Sequence, residues 1–189
     1  MTTRTILDTV RERRSIKELA DVAVSREQIE VLLDAAVHAP NHRMTEPWRF
    51  YVLGPEARRA YGAALGARKA KRVEDPAAAA EVIRKVVEKH AALPAMLAVS
   101  VVVADDPEIR EEDYAATWMA IENISLVAVD MGLGTHLKTG AVMNDPAARA
   151  AVGVPEGERI VATLEIGVPA AAPPARARKP ASTLTTWVP

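Results

Sequence analysis

Helix-capping and helix-breaking residues divide this sequence into short segments, and this division limits its fold more than any other feature. Ser25 and Gln28 have the spacing of a capping box, and the apolar residues that follow repeat at the helical period. Pro40 ends this helix, because the residue before a proline is disfavoured in the α conformation. Three further prolines stand where a helix can begin: Pro55, Pro76 and Pro146. The pattern therefore predicts several helices joined by strands and loops.

Between the helices, apolar segments predict the strands of a sheet. Residues 97–104 form a nearly continuous valine-rich run, which is typical of a strand covered on both faces. Further extended segments are predicted at 48–53, 135–139 and 159–168, and the longest helix at 114–131. These elements favour an α+β fold with helices packed around the sheet. Residues 169–180 are rich in Ala, Pro and Arg and predict an extended arm, whose end could add a strand or contact a partner.

The composition excludes several classes of chemistry. The 189 residues contain no cysteine, so disulfides, thiolate metal sites, iron–sulfur clusters and cysteine nucleophiles are ruled out. With 24 basic and 25 acidic residues the net charge is −1, which disfavours a nucleic-acid-binding protein, because such proteins carry a dense basic surface. Aromatic residues make up only 4%, so aliphatic side chains must fill a thin core. This favours completion of the fold by dimerisation.

The longest apolar segment, residues 114–131, is interrupted by Glu122, Asn123 and Asp130. A charged residue at the centre of a bilayer costs about 2.5–3.5 kcal/mol on insertion scales, so this segment predicts a buried helix and not a membrane span. Residues 1–15 lack the apolar run of a signal peptide. We therefore expect a cytoplasmic protein that makes no contact with a membrane.

Two motifs suggest ligands but are better explained without them. His38 and His42 have a metal-ligand spacing for a continuous helix, but Pro40 interrupts that helix, so we expect loop histidines and no metal. Gly132-Leu133-Gly134 resembles part of a dinucleotide fingerprint. It follows a helix instead of a strand and lacks the third glycine, so it predicts a helix C-cap.

Two other features leave their interpretation open. Arg11, Arg13, Arg14 and Lys17 surround Ser15 and form either a solvated helix end or a clamp for an anion. Guanidinium groups and a hydroxyl are suitable phosphate donors, which is the basis of the second interpretation. A polar loop, residues 41–47, then stands between two prolines and leads into an aromatic strand. Loops of this kind often carry binding residues.

In combination, these motifs resemble the nitroreductase family, the FMN-dependent NAD(P)H oxidoreductases. The family pattern begins with an Arg-[Arg/His]-Ser-x-[Arg/Lys] cluster, here Arg13-Arg14-Ser15-Ile16-Lys17. An Ala-Pro loop ending in Pro-Trp-x-Phe follows, here from Ala39-Pro40 to Pro47-Trp48-Arg49-Phe50. A Gly-x-Gly turn with a following Thr139-Gly140, and a final Ile166-Gly167-Val168-Pro169, complete the ordered set. The resemblance covers almost the whole chain.

The resemblance implies a nitroreductase-like α+β domain at residues 1–168, with a central, mainly antiparallel sheet surrounded by helices. The chain would form a homodimer with FMN sites at the interface, and the arm, residues 169–189, would be exchanged with the partner. Arg13, Arg14 and Ser15 would hold the FMN phosphate and ribityl chain, and Lys17 would lie near the pyrimidine edge. The other residues that the resemblance assigns to the cofactor are Leu137, Lys138, Thr139, Arg178 or Lys179, and, toward the partner's FMN, His38, Pro40, Asn41 and His42.

The function implied is the reduction of nitroaromatic compounds, quinones or similar electron-poor acceptors by ping-pong hydride transfer through flavin N5. The flavin would carry the chemistry, with the backbone N–H of Thr139 as a donor to N5, so no catalytic side chain is expected. Two alternatives stay open: a same-fold flavoprotein with a different reductive reaction, and a non-catalytic flavin-binding dimer. Met44, Glu46 and Leu19 depart from the common family pattern. The sequence does not distinguish NADH from NADPH as the electron donor.

Overall fold

The structure, a computed structural model, describes residues 5–189, so residues 1–4 of the predicted domain lie outside it. Six α-helices are found in the described residues: α1 Ile6–Glu12, α2 Arg26–Val37, α3 Pro55–Ala70, α4 Pro76–Ala91, α5 Pro107–Asp130 and α6 Pro146–Val152. Four strands accompany them: β1 Trp48–Val52, β2 Ala95–Val102, β3 Gly134–Lys138 and β4 Glu158–Gly167. No helix in this part of the chain has the length and apolar character needed to cross a membrane.

The four strands form one sheet in the order β1-β2-β4-β3, and every neighbouring pair is antiparallel. The central strands β2 and β4 are almost entirely buried, as the apolar run in β2 predicts. The α+β fold with a mainly antiparallel sheet is therefore confirmed.

Helices cover the sheet on both faces. Leu97 and Val99 of β2 point toward α2 and α5, where they pack with Leu32 and Ile124. The alternate residues of β2 point to the other face, which is covered by α3, α4 and α6. The sheet is thus a middle layer between two layers of helices.

The helix boundaries follow the capping residues. The Ser25 side chain accepts from the Gln28 backbone N–H at 3.2 Å, and Gln28 accepts from the Ser25 N–H at 2.9 Å, which confirms the capping box. The predicted start of the longest helix at residue 114 is wrong, because α5 begins at Pro107. Asp106 caps it, accepting backbone N–H groups from Glu108 and Ile109. This is the same Asp-Pro signal that correctly predicts the starts of α4 and α6.

The arm leaves the sheet at the end of β4 and begins beside the segment that follows α1. Ala170 N–H donates to the Glu18 carbonyl at 3.0 Å, and Ala20 N–H donates to the Val168 carbonyl at 2.8 Å. Beyond this point the described arm contains one short 3₁₀ turn, Ala181–Thr183, and no strand. The exposed fraction of Trp187 is 90%, so this side chain packs on nothing in its own protomer.

Candidate functional site

A cleft of about 930 Å³ lies at the β3 edge of the sheet, between the segment after α1, β3 and the arm. Six cationic side chains line it: Arg11, Arg13, Arg14, Lys17, Arg176 and Arg178. Two carboxylates, Glu18 and Glu122, also line it, so basic groups outnumber acidic ones. This charge favours a ligand that carries a phosphate or another anion.

The segment 13–17 is held in place by β3. Ser15 pairs with Thr135 as a parallel β-bridge, and Ile16 N–H donates to the Thr135 carbonyl at 2.9 Å. Ile16 is buried against Gly134, where a Cβ atom would lie only 2.4 Å from Ile16 Cγ1. The arginine cluster and the Gly-x-Gly turn, which are far apart in sequence, therefore pack directly on each other.

The turn before β3 is a helix C-cap. Gly132 has a φ of 72°, in the left-handed region that glycine adopts readily. Its N–H donates to the Val129 carbonyl at 3.1 Å, and Leu133 N–H donates to the Ala128 carbonyl at 2.7 Å. This is the hydrogen-bond pattern of a Schellman motif, which confirms the C-cap prediction for this glycine.

The guanidinium groups of Arg13 and Arg14 make local contacts at the cleft. Arg13 Nε lies 3.4 Å from Glu122 Oε1 of α5, and both side chains are partly exposed. Arg14 Nη1 donates to the Arg13 carbonyl at 2.8 Å and also to the Arg11 carbonyl. Exposed ion pairs contribute about 0–1 kcal/mol, so an incoming anion can replace the Arg13–Glu122 contact at small cost.

The structure brings together only part of the predicted site. Six of the predicted residues line the cleft: Arg13, Arg14, Ser15, Lys17, Leu137 and Arg178. Lys138 is directed to the carboxylate of Glu165 and does not line the cleft. Thr139 and Lys179 are exposed and close in sequence to the lining residues Leu137 and Arg178, but they do not line the cleft themselves. His38, Pro40, Asn41 and His42 lie at the end of α2 and in the following loop, outside this cleft.

That loop has an unusual backbone. Arg43, Met44 and Glu46 have φ values of 67°, 52° and 45°, in the left-handed region. Each such residue costs on the order of 1–3 kcal/mol, so the surrounding contacts must hold the loop in this shape. Asn41 supplies one such contact, since its Oδ1 accepts from the Glu46 N–H at 2.7 Å.

The first turns of α5 supply the other contacts to the loop. His42 Nδ1 lies 2.9 Å from Glu112 Oε1, and Arg43 Nη2 donates to Glu108 Oε1 at 2.9 Å. The hydrogen bond with His42, assisted by its charge and that of Arg43, lowers the pKa of Glu112 below its ordinary value. The His42 ring is thus held by a carboxylate, and no cluster of potential metal ligands is found among residues 5–189.

Sequence reasoning missed Glu165, which is buried in β4 with an exposed fraction of 1%. Its carboxylate accepts from Lys138 and lies 3.1 Å from His136 Nδ1. The available signal was a charged residue inside the apolar run of a predicted strand, since Glu165 is the one charged residue between Ile160 and Val168. Burial opposes its ionisation, but the hydrogen bond and charge of Lys138 outweigh burial, so the pKa of Glu165 is lowered.

The antiparallel sheet between two helical layers is matched over the whole chain by solved nitroreductase-like proteins. A solved nitroreductase-like family protein from Bacillus cereus matches 100% of this chain and 98% of its own, with a TM-score of 0.86 and 29% identity. A "putative nitroreductase" from Desulfovibrio desulfuricans, solved in complex with FMN, matches 100% of this chain and 99% of its own (TM-score 0.72, 25% identity).

Sequence comparison gives the same result. The model of the Nitroreductase family matches residues 10–168. A curated relative from Bacillus subtilis (strain 168), named "Putative NAD(P)H nitroreductase YfhC", is 32% identical over 173 residues, covering 92% of this chain and 89% of the relative. The chain therefore belongs to the nitroreductase family.

Proposed function

We propose that this chain is an FMN-dependent NAD(P)H oxidoreductase that reduces nitroaromatic compounds, quinones or similar electron-poor acceptors. The observation that carries the proposal is the basic cleft, in which Arg13, Arg14 and Ser15 stand together at the β3 edge. Family membership supports it, as do the FMN complex of the Desulfovibrio desulfuricans protein and the NAD(P)H donor in the YfhC name.

The residues of the cleft fit FMN chemically. Guanidinium groups form paired charge-assisted hydrogen bonds with a phosphate, and the Ser15 hydroxyl adds a further donor. Arg178 approaches the same cleft from the arm and supplies a third candidate guanidinium group for the phosphate. Leu137, half-buried on β3, supplies an apolar surface on which a planar ring can lie.

Bound FMN would supply the redox chemistry, taking a hydride from NAD(P)H at N5 and passing two electrons to the acceptor. The chain's own residues bind and orient it. We assign Lys17 to the pyrimidine edge, where a fixed cation stabilises negative charge. We propose that the backbone N–H of Thr139 donates a hydrogen bond to N5. Lys138, which donates to Glu165, would lie in the sheet beside the flavin. Donor and acceptor would occupy the same open face in turn, which gives ping-pong kinetics.

The proposal includes a homodimer, because α1 is incompletely packed in one protomer. None of its residues is buried, and Ile6, Leu7 and Val10 are exposed apolar side chains. We propose that a second copy covers this face, and that the arm, residues 169–189, packs on the partner of the domain 1–168. His38, Pro40, Asn41 and His42 would then reach the partner's FMN. Such an enzyme would work in the cytoplasm.

Replacement of Arg13 tests the phosphate site. Arg13→Ala should weaken FMN binding about 10- to 100-fold, because a charge-assisted hydrogen bond contributes about 1.5–3 kcal/mol. FMN retention is measured from the visible flavin absorbance of the purified protein and from fluorescence titration of the stripped protein. Arg59→Ala is the matched control, since Arg59 is exposed on α3, away from the cleft.

Equal FMN retention in the two variants would contradict the phosphate site, and a wild-type protein that ignores added FMN would contradict the whole proposal. Steady-state rates with both nicotinamides and a nitroaromatic acceptor test the reaction itself. Flavin that is reduced by NAD(P)H but turns over only with another substrate would indicate a different reductive reaction. Flavin that neither nicotinamide reduces would indicate a non-catalytic flavin-binding dimer.

A further inference from the structure

Glu165 and Lys138 form an ion pair in the sheet, directly behind one wall of the cleft. Glu165 lies on β4 opposite His136 of β3 in the strand register, and Lys138 is two residues further along β3. Side chains two residues apart on a strand share a face, so both basic side chains reach the same carboxylate. Lys138 donates to Oε1, and His136 Nδ1 lies 3.1 Å from Oε2.

The α4 side of the cluster donates no hydrogen bond to Glu165. Burial lowers the pKa of His90, so its ring is neutral near pH 7. His90 Nδ1 lies 2.7 Å from the Val86 carbonyl, which can only accept, so the proton of the neutral ring is on Nδ1. His90 Nε2 then faces Glu165 Oε1 at 4.0 Å without a proton to donate. Lys89 of α4 acts on the carboxylate only through its charge.

The pair is next to the cleft. His136 and Leu137 line the cleft, and Lys138 follows them on the same strand. Leu137 packs toward the α2 and α5 side of the sheet, whereas Lys138 points to Glu165 on the other side. A ligand lying on Leu137 is therefore separated from the ion pair only by the thickness of strand β3. At that distance, in a partly buried site, a single unbalanced charge acts on a ligand with little screening.

We propose that Glu165 and Lys138 are positioning residues whose mutual charge balance keeps either one from shifting the reduction potential of FMN in the cleft. This inference rests on the proposed function. A flavin gains negative charge when it takes up two electrons, so a nearby cation favours the reduced form and a nearby carboxylate opposes it. While the pair is intact the two effects nearly cancel. Loss of either partner therefore leaves an unbalanced charge of known sign.

The test is the midpoint potential of bound FMN in two variants with opposite charge changes, measured by spectroelectrochemical titration at pH 8. Glu165→Gln leaves Lys138 unbalanced and should shift the potential to more positive values. Lys138→Gln leaves the Glu165 carboxylate unbalanced and should shift it to more negative values. The double variant should return close to the wild-type potential. Glu81→Gln, which breaks an exposed pair with Arg84 on α4, is the matched control and should change nothing.

A purely structural role would lower the melting temperature or FMN affinity without shifts of opposite sign, and that result would overturn the inference. Lys138 is partly exposed, so Lys138→Gln tests the sign even if Glu165→Gln fails to fold. If FMN binds to both variants and its midpoint potential is unchanged, only the inference about the Glu165–Lys138 pair is overturned. A wild-type chain that binds no FMN overturns the proposed function and the inference together.

Discussion

Gly134 has no side chain at the point where Ile16 packs against β3, and this close approach positions the whole basic segment 13–17. The ideal Cβ of an alanine would lie 2.4 Å from Ile16 Cγ1 and 2.9 Å from Ile16 Cβ. A branched side chain fixed at Cβ cannot rotate away from such a contact. Gly134, the second glycine of the Gly-x-Gly motif, therefore positions the arginine cluster by letting Ile16 pack against β3.

Gly134→Ala should lower the free energy of unfolding by about 1–3 kcal/mol, because overpacking forces Ile16 and its segment to move. FMN retention should fall as well, since Arg13 and Ser15 flank Ile16. Urea unfolding followed by circular dichroism measures the first effect. Gly54→Ser is the control, because a Cβ there meets nothing within 4 Å, the backbone is in an ordinary conformation, and serine is a good N-cap for α3. Equal stability of the two variants would contradict this account.

The sequence is informative about residues whose roles depend on their near neighbours in the chain. It is less informative where a residue's contacts depend on which strands pair and in what register. The Gly132 cap and the Ser25 capping box are local, and both could be predicted. The direction of Lys138 depends on which residue of β4 stands beside it, and the chain near 138 does not encode that pairing. The resemblance assigns Lys138 to the flavin, and the hydrogen bond of its ammonium group to Glu165 is what the sequence does not indicate.

The loop after α2 is shaped by its contacts with the first turns of α5. Three of its residues adopt left-handed backbone angles, and Glu108, Glu112 and Asp113 hold it through side-chain contacts. These turns were predicted to lie outside the helix, so their contacts with the loop could not be anticipated. The Asp106-Pro107 pair carried the signal for the correct helix start.

Glu112→Gln should loosen this loop while leaving the fold intact. Amide hydrogen exchange of residues 42–46 should accelerate severalfold, because the hydrogen bond with His42 and the ion pair with Arg43 are weakened. Global stability should hardly change, since exposed pairs contribute little. Exposed Glu111 provides the matched variant, Glu111→Gln, in which exchange at 42–46 should stay at the wild-type rate.

The same contact has a defined pH dependence. The pKa of Glu112 is lower in the folded chain than its ordinary value, so its ionised form is favoured by folding. This contribution is fully present above the ordinary glutamate pKa and is lost as the pH falls through the lowered one. Protection of residues 42–46 should therefore persist at pH 5. If the exchange protection of residues 42–46 is lost between pH 7 and 5, a group other than Glu112 controls the loop.

At the scale of the whole molecule, the sheet and five helices form a packed domain, whereas α1 and the arm lie on its outside. The exposed fraction of Ile6 is 83%, and Leu184, Trp187 and Val188 in the arm are also exposed. Helix α1 and the arm, which lie beside the cleft, thus leave apolar side chains unpacked within their own protomer. The sequence predicts a dimer through its thin core and its family resemblance, but no pattern within the chain specifies that α1 lies on the face that meets the partner.

Ile6→Glu should convert a dimer of 20.3 kDa chains into monomers and reduce FMN retention, because it places a charge on the apolar face of α1. Light scattering coupled to size-exclusion chromatography measures the mass. Ala80→Glu, on an exposed position of α4, is the control and should stay dimeric. A wild-type protein that elutes as a monomer, or an unchanged mass for Ile6→Glu, would contradict the role of α1.

The Schellman turn between α5 and β3 has a consequence for how the site can vary. Only three residues separate Asp130 from Gly134, and the strand begins at once in register with β4. One inserted residue would move each β3 side chain to the opposite sheet face. Leu137 would then meet the Glu165 carboxylate, and two basic groups would enter the apolar layer under α2 and α5. A change in the length of this connection therefore exchanges the apolar and charged sides of the strand.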